Sequence, residues 1–147
     1  MARIKLHIPN ILSYSTEIPI RITDVNYGGH LGNDAVLSIA HEARLRFLAS
    51  MRYTEFSIEG AGIMMTDAIV VYVSEGFYGD VLIVEVGATD FESTRCDIFY
   101  RLLNKITRKE VAKVKTGIVF VDRELKKIIP VPRKFREICE SLPRLSS

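Results

Sequence analysis

Residues 24–51 read D-V-N-Y-G-G-H-L-G-N-D-A-V-L-S-I-A-H-E-A-R-L-R-F-L-A-S-M, a turn-forming run that passes directly into a helical one. Asp24 to Asp34 holds three glycines, two asparagines and two aspartates, the composition of a loop. From Ala35 to Met51 the period changes. Val36, Ile39, Ala40, Ala43, Phe47 and Met51 recur at steps of three and four, which predicts one long helix with a single apolar face. Asn33 or Asp34 is the expected cap of its first turn. A lone helix of this kind needs a surface to cover its stripe.

The flanking sequence supplies that surface as strands. Glu17–Thr23 alternates apolar and polar residues and reads as a first strand, with Pro19 tolerable only near an edge or an end. Ile63–Ser74 ends in the β-branched run A-I-V-V-Y-V, which suits burial on both faces. Gly76–Asp80 turns the chain. Leu82, Val84, Val86 and Ala88 then share one face of a strand over Val81–Thr89. Cys96, Ile98, Tyr100 and Leu102 do so within Arg95–Leu103, as do Ala112, Val114, Thr116, Ile118 and Phe120 within Glu110–Val121. A short helix over Lys134–Ser141 follows Pro130 and Pro132. Strand, loop, long helix and four strands at hairpin spacing give an α+β class, one antiparallel sheet wrapped around the helix.

At 147 residues the chain is one domain, 1–147, with 48% hydrophobic and 26% charged residues. Its apolar runs are too short to cross a bilayer. The opening Met1-Ala-Arg-Ile-Lys-Leu-His breaks its apolar residues with charges and makes no signal-peptide core, so a cytoplasmic location is expected. Cys96 and Cys139 have no metal-ligand spacing, and no metal site is expected. Charge is uneven. Residues 1–94 hold 6 Lys/Arg against 12 Asp/Glu, whereas residues 95–136 hold 13 against 4. Arg95, Arg101, Lys105, Arg108, Lys109, Lys113 and Lys115 fall on adjacent predicted strands and their hairpin. They read either as a patch for a phosphorylated ligand or as solvated strand residues. Nucleic acid is disfavoured, because no reading helix or aromatic-basic RNA motif accompanies them.

The loop and helix resemble the hotdog-fold acyl thioesterases. Asp24-Val-Asn-Tyr-Gly-Gly-His30-Leu-Gly-Asn33 is similar to the D-x-D-x-N-G-H-x-N-N stretch of the 4-hydroxybenzoyl-CoA and acyl-carrier-protein thioesterase families, and His41-Glu42-Ala43-Arg44 stands in for E-E-A-R. Gly79-Asp80, Ser93-Thr94-Arg95 and Pro130-Val-Pro132 agree with the family pattern. Asn26, Gly28, Gly32 and Val36 depart from it. The resemblance implies hydrolysis of an acyl-CoA or acyl-carrier-protein thioester, with no cofactor beyond the coenzyme A carried by the substrate. It implies a homodimer or dimer of dimers with sites at subunit interfaces.

Thioester hydrolysis needs a base or nucleophile at the carbonyl carbon and donors at the oxygen that turns negative. The resemblance assigns Asp24 the first role and the amide near Leu31 or Gly32 the second. Asp24 could equally cap its own turn, as Asx residues do. His30 is either an acid–base assistant or a loop brace, and Asn33 a substrate contact or a helix cap. Glu42 lies on the helix face opposite the stripe. It is the second candidate base, or simply an i,i+4 partner of Arg46. Lys113 and Lys115 are candidate contacts for the coenzyme A phosphates, and Ile63, Met64, Met65 and Phe77 candidate pocket or core residues. Two other classes are an acyl-CoA sensor on the same fold, which would mark itself by loss of the loop acid, and a hydratase or dehydratase. The latter is disfavoured because His30 is not followed by a P-x-x-P-G motif.

Overall fold

Val36, Ile39, Ala40, Ala43 and Phe47 are buried together, enclosed by the sheet that the flanking sequence predicts. The computed structural model describes residues 3–146. Met1 and Ala2, which begin the N-terminal stretch read above, lie outside the described residues, as does Ser147. The helix, α1, runs Asn33–Ser50. The strands are β1 (Tyr14–Pro19), β2 (Gly62–Tyr72), β3 (Val81–Thr89), β4 (Arg95–Asn104), β5 (Glu110–Asp122) and the short β6 (Lys127–Ile128), followed by α2 (Arg133–Ser141). All pairings are antiparallel, in the order β1-β3-β4-β5-β2, with β6 beside β5. The inward positions of β3, β4 and β5 are those the alternation predicts. Leu82, Val84, Val86, Tyr100, Leu102, Val114 and Phe120 have no measurable exposure.

Three local expectations are corrected. The first strand ends at Pro19, which has no N–H to donate to the ladder, and Ile22–Asp24 form a 3-10 turn instead. The helix begins two residues early. Gly32 occupies its N-cap position, so neither Asn33 nor Asp34 caps it through a side chain. The β-branched run of β2 is not buried on both faces. Among the described residues β2 pairs only with β5, and Met64, Met65 and Tyr72 are exposed. A run of branched side chains reports that a surface wants cover, not which molecule covers it.

The opposite face of the sheet is partly covered by the N-terminal segment. Ile8 and Leu12 pack on Phe99 in a second small cluster, with Leu145 alongside. Gly87 makes this approach possible, because a Cβ there would stand 2.2 Å from the Ile11 carbonyl oxygen. Gly87→Ala is therefore expected to lift residues 8–12 from the sheet at a cost of about 1–3 kcal/mol. The readouts are a lower denaturation midpoint and faster amide exchange at Ser13, whose N–H donates to the Val86 carbonyl at 2.9 Å. Wild-type stability in the variant would contradict this packing.

Candidate active site

The loop before α1 is closed by its own backbone. The Arg21 amide donates to Asp24 Oδ2 at 2.8 Å, and the Arg21 guanidinium lies 3.4 Å from the same oxygen. The Asp24 carbonyl in turn accepts the Gly32 amide at 2.8 Å, while the Leu31 amide donates to Gly76 at 2.7 Å. Asn26 Oδ1 accepts the Gly28 and His30 amides at 3.0 and 3.2 Å. Gly29 takes φ +81°, the left-handed turn conformation that only glycine enters freely. The Leu31 and Gly32 amides, read from sequence as donors to a substrate carbonyl, are thus engaged within the chain. The amides of Asn33 and Asp34 open α1 ahead of its i→i−4 bonding, and no acceptor for them is present among the described residues.

Two clefts flank this loop and divide the candidate residues between them. The first, of about 380 Å³, brings together Asn26, His30, Leu31, Asn33, Ser74 and Glu75. His30 Nδ1 is buried without a hydrogen-bond partner among the described residues and lies 3.4 Å from Glu75 Oε2. That separation exceeds a good hydrogen bond, but catalytic contacts commonly tighten only when substrate arrives. The imidazole rests against Phe77, ring centroids 5.0 Å apart. Tyr72 donates its hydroxyl to the Asn33 carbonyl at 3.0 Å and ties the end of β2 to the first turn of α1. The second cleft, of about 270 Å³, joins Asp24 and Glu42 with Arg21, Ser38 and Arg46. Glu42 accepts from Arg46 Nε at 2.8 Å, and Arg46 also donates to Thr16 Oγ1 and the Glu17 carbonyl. Asp24 is buried here, at 6% exposure.

Lys113 and Lys115 belong to neither cleft. Both project on the sheet face turned away from α1. Lys115 Nζ is 2.9 Å from Asp67 and 3.5 Å from Asp97, and its hydrogen bond holds the Asp67 carboxyl below the usual range. Lys113 faces Glu110 at 3.7 Å under the N-terminal segment. Arg95, Arg101 and Lys105 are likewise paired, with Asp67 and Asp97, with Glu85 and Glu110, and with Glu17. Five of the seven basic residues singled out between Arg95 and Lys115 therefore neutralise acids on their own or another strand. Of the apolar candidates, Phe77 braces His30, whereas Ile63 and Met64 line a separate cavity.

Sequence reasoning passed over Arg44 and Glu75. Arg44 sits among Ala40, Phe47 and Leu48 on the buried face of α1, and a charge on an apolar stripe was the available signal. Its Nε donates to Glu55 Oε2 at 3.0 Å and its terminal nitrogen to Tyr100 Oη at 3.1 Å, with Tyr100 bonded to Thr116 at 2.8 Å. His41 Nε2 meets the other Glu55 oxygen at 2.6 Å. Burial favours the neutral carboxyl of Glu55. The bonds from His41 and Arg44 outweigh it and hold the pKa below the ordinary value.

A family model described as the thioesterase-like superfamily matches residues 20–139. No curated protein sequence matches the chain. Among solved structures, the chain is similar to the 1,4-dihydroxy-2-naphthoyl-CoA thioesterase of Synechocystis. The two are 19% identical with a TM-score of 0.79, over 88% of this chain and 97% of that one. It is also similar to the DHNA-CoA thioesterase of Staphylococcus aureus, at 20% identity and TM-score 0.74 over 86% and 85% of the two chains. A thioesterase-superfamily protein of Jannaschia sp. CCS1 superposes with TM-score 0.80 at 16% identity, over 90% and 84%. These likenesses establish the α+β hotdog fold.

Removing the Glu55 charge leaves the Arg44 guanidinium buried and unmatched. Glu55→Gln should cost about 3–5 kcal/mol, the usual penalty for breaking a buried pair from one side. Because the folded pKa of Glu55 is depressed, its contribution is complete above the ordinary carboxylate range and is lost as pH falls through the folded value. Denaturation midpoints measured from neutral to acid pH should fall less in Glu55→Gln than in the wild type. Parallel curves would contradict the pairing.

Proposed function

The chain belongs to the thioesterase-like superfamily and is a thioester hydrolase, and on that premise we propose that it cleaves an acyl-CoA or acyl-carrier-protein thioester at the N-terminus of α1. One observation carries this placement. The 380 Å³ cleft joins an imidazole, a carboxylate beside its buried Nδ1 and Asn33, whose amide opens the helix next to that of Asp34. His30 takes a proton from water through its other ring nitrogen, with Glu75 steadying the imidazole. The hydroxide adds to the carbonyl carbon, and the Asn33 and Asp34 amides donate to the oxygen that becomes negative, aided by the helix dipole. The imidazolium then returns its proton to the departing thiolate. Asp24 organises the loop from behind. No group beyond these side chains and water is required.

A second reading places the chemistry in the other cleft, because Asp24 and Glu42 present two carboxylates there beside Ser38. Asp24 is then base or nucleophile and Glu42 its assistant. The free edge of β2, with Met64, Met65 and Tyr72 exposed along it, supports a homodimer, since an uncovered apolar edge invites a second strand. Two buried, unpaired thiols, Cys96 and Cys139, fit a reducing compartment such as the cytoplasm. No helix among the described residues is long and apolar enough to cross a membrane.

Hydrolysis should be followed over a panel of acyl-CoAs that includes an aryl-CoA, because the Synechocystis neighbour is named for one. His30→Gln is expected to lower kcat by about a hundredfold, with Asp24→Asn destabilised yet retaining most of its kcat and Glu42→Gln near wild type. A dead Asp24→Asn beside an active His30→Gln moves the chemistry to the second cleft. Sedimentation at micromolar concentration should give twice the 16.6 kDa chain mass, and a monomer there contradicts the dimer.

A further inference from the structure

A pocket of about 470 Å³ lies on the sheet face turned away from α1, beneath the N-terminal segment, and shares no residue with either cleft beside the loop. Its floor is a row across three strands. Val71, Lys113 and Arg101 are successive cross-strand partners on β2, β5 and β4, so their side chains stand together on one face. Residues 3–8 form its wall, anchored where Ile8 packs on Phe99. Among the described residues Val71 is the only one from β2 that lines it, and no cation of the pocket stands on that strand. The pocket therefore does not depend on what covers the free edge of β2.

Its charge has one sign. Arg3, Lys5, Arg101 and Lys113 line it, with His7 beside them, and among the described residues no carboxylate does. Arg101 and Lys113 stand directly opposite one another, an arrangement of like charges that costs stability in a sheet. Glu110 offsets part of that cost, 2.9 Å from Arg101 Nε and 3.7 Å from Lys113 Nζ. One carboxylate shared by two cations leaves an excess. Glu85 adds little, at 3.9 Å from the Arg101 guanidinium. The N-terminal segment then brings Arg3 and Lys5, which have no acidic partner among the described residues. Arg101 is held at Nε by Glu110, while its terminal nitrogens make no hydrogen bond among the described residues. A guanidinium fixed along one edge and open at its terminal nitrogens can grip two oxygens of a phosphate. Ile4, Leu6 and Val71 set apolar surface beside the cations, and the volume is that of a small-molecule site rather than of a single ion.

We propose that this pocket binds a nucleoside phosphate, its phosphates on Arg3, Lys5, Arg101 and Lys113 and its base against Ile4, Leu6 and Val71. Two molecules carry that chemistry, a free nucleotide and the nucleotide end of coenzyme A. The site follows from its own residues, and only the second source rests on the thioesterase reading above. A twofold axis through the pocket would set these cations against themselves, which disfavours a second copy of the chain as the occupant.

Isothermal titration tests the site because it reads binding without turnover. At low salt ADP should bind saturably at one site per chain, and adenosine, which has no phosphate, should give no measurable heat. Arg3→Gln/Lys5→Gln should weaken ADP about tenfold or more. Both side chains are exposed, so the fold is not at stake in this variant. Arg123→Gln/Lys126→Gln removes the same charge from the β5–β6 turn and should bind ADP as the wild type does. The two double variants thus separate a site from the general attraction of a cationic chain. Absence of saturable ADP binding, equal heat from adenosine, or equal losses in the two double variants overturns the proposal. His30→Gln should bind ADP unaltered, so a failed hydrolysis assay leaves this test standing. Loss of ADP in His30→Gln with retention in Arg3→Gln/Lys5→Gln would place the nucleotide in the hydrolytic cleft and also overturn it. Repeating the titration on chain already saturated with a non-hydrolysable acyl-CoA thioether names the source. Unchanged ADP affinity supports a site for free nucleotide, and loss of ADP binding supports a site for the nucleotide end of the substrate.

Discussion

Everything in this molecule is positioned by the burial of one helical stripe against a curved sheet. Val36, Ile39, Ala40, Ala43 and Phe47 must leave water together, and five antiparallel strands close around them to make that possible. Once α1 is seated, its N-terminus has one place to be. The loop that feeds it must then fold tightly enough to satisfy its own amides, which it does through Asp24, Asn26 and Gly76. The two clefts are what remains on either side of that loop. Arg44 is the exception inside the stripe, tolerated because Glu55, Tyr100 and Thr116 converge on it from the far side of the core.

The helix and the β3–β5 strands were legible because their periods are local and uninterrupted. The limits of that reading are equally local. Pro19 breaks a run whose alternation continues past it, and the backbone turns into a 3-10 helix that no side-chain pattern announces. The Ala68–Val73 run of β2 reads as buried, but its place at the end of the sheet depends on strand order, which pairwise alternation does not encode. The loop chemistry was legible as residue types and not as a site. Which side of the loop Asp24 or His30 faces is decided by which carbonyls the Leu31 and Gly32 amides take. Glu75 reaches His30 only because the His30–Phe77 bridge draws the β2–β3 connection against the loop.

The charge segregation along the sequence has a structural use that composition alone does not disclose. The basic residues of β4 and β5 pair across the ladder with Asp67, Glu85, Asp97 and Glu110, most of them partly shielded from solvent. Acid-rich and base-rich halves of the chain thus meet on one face of the sheet, where each pair fixes register modestly. Among the described residues, Arg108 and Lys109 in the β4–β5 turn and Arg123 and Lys126 in the β5–β6 turn have no acidic partner.

The central claim is that thioester chemistry occurs in the His30–Asn33 cleft and not in the Asp24–Glu42 groove. A non-hydrolysable acyl-CoA thioether titrated into isotopically labelled protein, with backbone amide shifts recorded, tests it most directly. The account predicts the largest changes at Asn33, Asp34, Ser74 and Glu75, with the Asn33 amide moving as it acquires an acceptor. Changes centred on Arg21, Ser38 and Glu42, with Asn33 and Asp34 undisturbed, would contradict it.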